Sequence, residues 1–271
     1  MLTVLSVKKK KSPRKIMCNS LKVRLGGDND IRIRYLEYTC RNGRVNWRKI
    51  AKKAEDSRAC IVCAEKAEPD KDSGVAFFEP LELRQRLCAN MALEVLEIMK
   101  DVPKGLRVGL YDPRGEFSDL CEHLLRFTAD FTVVTHNKDL YIRHSRVLLE
   151  EQGVVLCVCT KISALSRCGL IIAPAVISEA FSPMTKAVVL TLRRPAVSLG
   201  CRVYYRYSLS LPKEFEQFRP QDIPAEIFGG ALYSLCSVYE VGSCVPYVCA
   251  GDTDTQTTLS LRKYFRECFG Y

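Results

Sequence analysis

The chain has 271 residues, 47% hydrophobic and 27% charged, ordinary values for a folded domain with a buried core. No apolar run reaches the roughly 18 residues that a membrane-spanning helix needs, so no transmembrane segment is expected. The net charge is +10, but eight basic residues and no acidic one fall in residues 1–24, and the other 247 carry 33 basic against 31 acidic side chains. A protein that tracks phosphates spreads its basic residues over a folded face, so nucleic acid is excluded as a partner of the body and left to the basic N-terminal segment.

Residues 1–30 read as a loose, disordered basic tail containing Lys8, Lys9, Lys10, Lys11, Arg14 and Lys15, ending in the turn-forming run Gly26–Asp30. Two further readings stay open: an arm for nucleic acid or anionic membranes, and upstream sequence ahead of a true start at Met17. A secretory signal is not expected, because no apolar stretch follows the lysines. With 14 cysteines and no such signal, the chain reads as cytoplasmic and cysteine-rich, with reduced thiols.

Residues 31–104 read as a small α/β lobe. A strand is predicted over Ile31–Tyr38, and Asn46 caps a helix whose inner face is Trp47, Ile50, Ala51 and Ala54, at i, i+3, i+4 and i+7. Cys60–Ala64 is a short strand. Pro80 opens a long linking helix over 80–100, since proline is tolerated where the first-turn N–H has no helical partner. Asp101–Gly105 is the expected domain boundary.

Residues 105–271 read as the main α/β domain with C-terminal helices. LRVGLYDP, FTVVTHN, VVLCVCT and GLIIAP are apolar runs separated by amphipathic segments, the signature of βαβ units and a mostly parallel sheet. The first helix carries Phe117, Leu120, Cys121, Leu124 and Leu125 on one stripe. The second turns Leu140, His144, Val147 and Leu148 inward. A strand follows at Lys186–Leu192, and another, at a sheet edge, at Arg202–Ser208. Helices capped by Asp222 and Asp254 are expected over 224–239 and 255–269.

In this alternation the chain resembles the Rossmann-like nucleotide-binding superfamily over about residues 106–192. The resemblance implies a ligand at the carboxyl ends of the central strands. Those ends carry Asp112, Arg114 and Gly115 after the first strand and His136, Asn137 and Lys138 after the second. The superfamily's G-x-G-x-x-G turn is reduced to Gly115, and Asp112 and Glu116 stand where phosphates would sit. Lys138 and Asn137 suit a 2′-phosphate, so NADP or another nucleotide is the cofactor to test.

No residues name a reaction. The chain lacks GxxxxGK[ST], G-x-S-x-G and H-E-x-x-H. Cys60 and Cys63 point to opposite faces of their strand. Cys157 and Cys159 share a face and read as buried strand residues. Cys236, Cys244, Cys249 and Cys268 match no zinc spacing, so no metal is expected. Three functions follow: an α/β protein binding a nucleotide or other small molecule at the crevice, a non-catalytic Rossmann-like interaction or regulatory module with a protein partner, and nucleic-acid association through the tail.

Overall fold

The computed structural model describes residues 1–9, 19–27, 31–41, 44–64, 68–236 and 244–270. The chain divides into two compact units, residues 1–83 with 210–243 and residues 84–209 with 244–271. The division falls inside the long helix rather than at Asp101–Gly105, and the chain enters the first unit twice.

The first unit is built on a four-stranded sheet. Strands β1 (Leu2–Lys9), β2 (Ser20–Gly27), β3 (Arg32–Cys40) and β4 (Val62–Cys63) lie in the order β2-β3-β1-β4. The segment expected to be a loose tail is therefore partly sheet. β1 is an inner strand, parallel to β3 from Leu2↔Ile33 to Lys9↔Cys40 and parallel to β4. Its residues Leu2, Thr3, Val4, Leu5 and Ser6 are all buried, as a strand covered on both faces requires. The lysine-rich stretch 10–18 lies outside the described residues. β2 is the antiparallel edge strand and is mostly exposed.

Helix α1 (Trp47–Ala54) follows its sequence pattern. Asn46 Oδ1 accepts the Lys49 N–H at 3.0 Å, and the buried residues are Trp47, Ile50, Ala51 and Ala54. Its carboxyl end is satisfied by tertiary structure. Buried Arg34 donates to the carbonyls of Lys53 (3.1 Å) and Ala54 (3.0 Å) and to the Glu55 carboxylate (2.8 Å), filling acceptors that a helix end leaves without partners. The helices α5 (Lys213–Glu216) and α6 (Ala225–Leu235) complete this unit. Asp222 does not cap α6, whose cap position is Pro224. It accepts the Ser6 Oγ–H instead, at 2.6 Å.

The second unit contains most of α2 (Leu81–Met99) and a six-stranded parallel sheet. The strands are β5 (Val108–Tyr111), β6 (Phe131–Val134), β7 (Cys157–Cys159), β8 (Leu170–Ala173), β9 (Val188–Thr191) and β10 (Arg202–Tyr204). They lie in the order β7-β6-β5-β8-β9-β10, every pair parallel. Counted from β5, this is 3-2-1-4-5-6, the strand order of the doubly wound nucleotide-binding fold. The chain reverses direction across the sheet between β5 and β8, so the crevice position lies at their carboxyl ends.

Both faces of this sheet are covered. Val108, Leu110, Phe131, Val133, Ile172 and Leu190 are buried on one side, where the Cys88 Sγ–H of α2 donates to the Leu190 carbonyl. On the other side Tyr111, Val134, Ile171 and Val189 pack with Ile162 and Leu165 of the 3-10 turn Ile162–Arg167. Gly109 permits that approach, because a Cβ there would meet Leu165 Cδ2 at 2.7 Å and Cys168 Sγ at 2.9 Å. The helices between strands are α3 (Leu120–Leu125) and α4 (Lys138–Gln152).

The stretch 202–208 divides between two sheets. β10 is the edge of the parallel sheet, and β11 (Arg206–Ser208) pairs with β12 (Val248–Ala250), which pairs in turn with β13 (Thr255–Thr257). The last helix, α7 (Thr258–Phe269), starts three residues later than its pattern suggests. Its cap is Thr257, which accepts the Ser260 N–H at 3.1 Å, while Asp254 accepts the Tyr204 hydroxyl at 2.7 Å.

Candidate functional site

β5 ends at Tyr111, and the chain turns at once through Asp112, Pro113, Arg114 and Gly115. The ladder carries one residue further, since Asp112 N–H donates to the Val134 carbonyl at 2.9 Å. This pins the Asp112 backbone and sends its side chain into the turn that follows. Gly115 sits at φ +79°, a left-handed conformation that glycine adopts without steric cost. The result is a tight loop whose amides point back at Asp112.

Asp112 is only 2% exposed, and four donors converge on its carboxylate. Oδ1 accepts N–H groups from Gly115 (3.0 Å) and Glu116 (3.1 Å). Oδ2 accepts the Phe117 N–H at 2.8 Å and the Tyr141 hydroxyl at 2.7 Å. Burial first, and then the Asp112 charge, raise the Tyr141 pKa far above that of an ordinary phenol. Burial, followed by the nearby carboxylates of Asp112, Asp119 and Glu122, pushes the Cys121 thiol up to about 12.

The second strand end docks on this turn. His136 N–H donates to the Pro113 carbonyl (3.1 Å), and Asn137 Nδ2 donates to the Arg114 carbonyl (3.3 Å). Thr135, fully buried, accepts the Asn137 N–H through its hydroxyl. All six residues singled out in the sequence are thus brought together. They divide into a buried carboxylate, Asp112, with its Gly115 turn, and an exposed rim of Arg114, His136, Asn137 and Lys138. Arg114 lies 3.6 Å from Glu116.

Tyr141 is the central residue that the pattern missed. Its helix buries Tyr141 and Leu148, whereas Val147 is 45% exposed. The inward face is rotated by about one residue from the expected one, because the Tyr141 hydroxyl turns toward the carboxylate. The signal in the sequence was a tyrosine in the first turn of the helix that follows the second strand, the neighbour of the strand that ends before Asp112. His144 is partly buried, its Nε2 3.6 Å from a Glu122 carboxylate oxygen. His123 and His136 are exposed.

This geometry bears on what the turn can bind. In a dinucleotide-binding fold the amides after the first strand face a pyrophosphate. Here three consecutive amides already hold a carboxylate, and α3 behind them has only six residues. A pyrophosphate brought to this turn meets the Asp112 charge and finds those amides taken, so the residues present do not fit that group.

Further concavities lie elsewhere among the described residues. One of about 870 Å³ in the second unit is lined by Arg194, Arg202, Tyr205 and Asp252, with Arg194 paired to Asp252 at 2.9 Å. One of about 710 Å³ in the first unit holds the Ser6–Asp222 hydrogen bond and Tyr35, whose hydroxyl donates to the Phe218 carbonyl. Among the described residues no group of three or more His, Cys, Asp or Glu side chains is arranged to hold a metal. The expectation that Cys157 and Cys159 are buried is overturned: Cys157 is exposed and Cys159 partly so, because β7 is an edge strand.

The fold and turn together define an α/β protein with a six-stranded parallel sheet in doubly wound order. No family model matches the chain, and no curated protein matches it. The solved structure of L-tryptophan dehydrogenase from Nostoc punctiforme aligns over 88% of this chain and 68% of that one, at 10% identity and a TM-score of 0.29. A likeness that slight carries no argument about chemistry. No helix among the described residues is long and apolar enough to cross a membrane.

Proposed function

We propose that the second unit is a non-catalytic Rossmann-like module for interaction or regulation, its first turn closed to dinucleotides by the protein's own carboxylate. The observation that carries this reading is the fourfold coordination of Asp112. A buried carboxylate with its acceptors filled holds a turn rigid, and displacing it would strand a charge and a phenol in the interior.

A second reading is favoured by the rim. Arg114, His136 and Lys138 are exposed around the turn, an arrangement suited to an anionic small molecule resting outside it, including the 2′-phosphate of NADP. Thermal-shift titration of the full chain with NAD(H), NADP(H), ATP, GTP and S-adenosylmethionine separates the two. A ligand at 100 times its dissociation constant stabilises the folded state by about 2.7 kcal/mol. The module reading expects no saturable shift with any of them. A saturable shift with NADP(H) that Lys138→Ala weakens would overturn it in favour of the rim, and a shift with NAD(H) or ATP would overturn the closed-turn argument itself.

A further inference from the structure

Fourteen cysteines invite the question of which are placed to do chemistry. Cys40, Cys63, Cys88, Cys121, Cys168 and Cys249 are buried and act as small apolar side chains. Burial raises the thiol pKa values of Cys88, Cys168 and Cys249 to about 12, which keeps them protonated and inert. Cys157 and Cys159 differ in three respects. They lie on β7, which among the described residues pairs with a strand on one side only. They stand two residues apart, so both point to one face. Their sulfurs are 4.0 Å apart, with Cys157 exposed.

That separation decides between two fates for a thiol pair. Residues two apart on a strand have Cα atoms about 6.6 Å apart, at the far limit of the roughly 4.4–6.8 Å seen in disulfides. Bonding the sulfurs would bend the strand out of its pairing with β6. A tetrahedral cation with metal–sulfur bonds of about 2.3 Å instead holds two thiolates about 3.8 Å apart, close to the spacing already present. The geometry points to a bidentate dithiolate site at Cys157 and Cys159 for a thiophilic d10 cation, Zn(II) or Cu(I), with its remaining coordination positions open to solvent or to a second molecule.

The surroundings support this. Thiolate ligands select soft ions. The Lys138 ammonium, at the start of α4, lies within electrostatic range of Cys159. Lys138 is thus placed to offset the negative charge of the paired thiolates. On binding, each thiol releases its proton to solvent and its sulfur forms one bond to the ion; no electron is transferred. The site does not depend on the state of the Asp112 turn.

The test uses the full chain, reduced, then desalted free of reductant and handled without oxygen. Its cysteines are alkylated with iodoacetamide alone, with one equivalent of Zn²⁺, and with one equivalent of Cu⁺, and each site is read by peptide mass spectrometry. At least one ion is expected to slow alkylation of Cys157 and Cys159 together, and the ion that does so identifies the preference. Chelator competition is expected to show one bound equivalent lost in Cys157→Ser and in Cys159→Ser, and none lost in Cys201→Ser. Protection mapping needs no variant, so it stands whether or not the variants fold. Unchanged alkylation of Cys157 and Cys159 with both ions, or the same stoichiometry in Cys157→Ser and Cys159→Ser as in the parent, would overturn the proposal.

Discussion

At the centre of the six-stranded sheet, the end of β5 hides its polar group. Asp112 is buried, four donors fill its carboxylate, and a neighbouring helix supplies one of them. At the edge of the same sheet, β7 carries an exposed Cys157 and a Cys159 half-buried against the core, their sulfurs 4.0 Å apart. The difference follows from neighbours. A central strand is flanked on both sides, so a charge at its end must be satisfied internally or not be there. An edge strand has one flank in solvent, and its side chains remain available. In this fold the carboxyl end of the first central strand is filled by the protein's own hydrogen bonds, while the edge strand leaves one thiol exposed.

The sharpest way to break this contrast between inner and edge positions is in the other sheet. A chain beginning at Met17 lacks β1, one of the two inner strands of the first unit's sheet. We expect it to lose protected amides throughout that unit in hydrogen exchange, because the strands on either side lose their ladder together. Retained protection in β3 would mean that β1 is dispensable.

Next in size is the buried carboxylate. Asp112→Ala leaves three amides and a phenol without their acceptor and should cost about 3 kcal/mol in urea unfolding. Cys157→Ser, at the edge, should change stability by no more than about 0.5 kcal/mol. Similar costs for the two would erase the distinction drawn between them.

An effect smaller than that of losing the carboxylate has a pH signature. Tyr141→Phe should cost about 1–2 kcal/mol near neutrality by removing one hydrogen bond to Asp112. The phenol's folded pKa is raised by burial and by Asp112, above an unfolded value of about 10. The folded chain therefore keeps a proton that the unfolded chain releases in alkali. That contribution is whole below about pH 10 and declines as the pH rises beyond it. Stability should fall less between about pH 9 and pH 11 in Tyr141→Phe than in the parent. Equal falls would place the phenol outside this network.

Much of the fold was legible in the chain. The helix face of Trp47, Ile50, Ala51 and Ala54, its Asn46 cap, and the strands from β5 to β9 follow from hydrophobic period and local capping, which depend on residues a few positions apart. The placement of Asp112, Arg114, Gly115, His136, Asn137 and Lys138 after two neighbouring strands was also legible, since strand ends and turns are local features. What escaped was set at long range. Asp222 and Asp254 looked like caps and bond instead to Ser6 and Tyr204, which lie far away in sequence.

The sequence by itself determined the alternation of strands and helices, the even charge balance of the body, and an acid rather than a glycine after the first central strand. Only the tertiary structure decided that Leu2–Lys9 is an inner strand, that Asp112 is held by its own turn and Tyr141, and that Cys157 is exposed and Cys159 half-buried on an edge strand. The physical reason is that helical period and caps are fixed within a turn or two of the chain. Strand neighbours and hydrogen-bond acceptors are chosen across tens to hundreds of residues, where burial outweighs local preference.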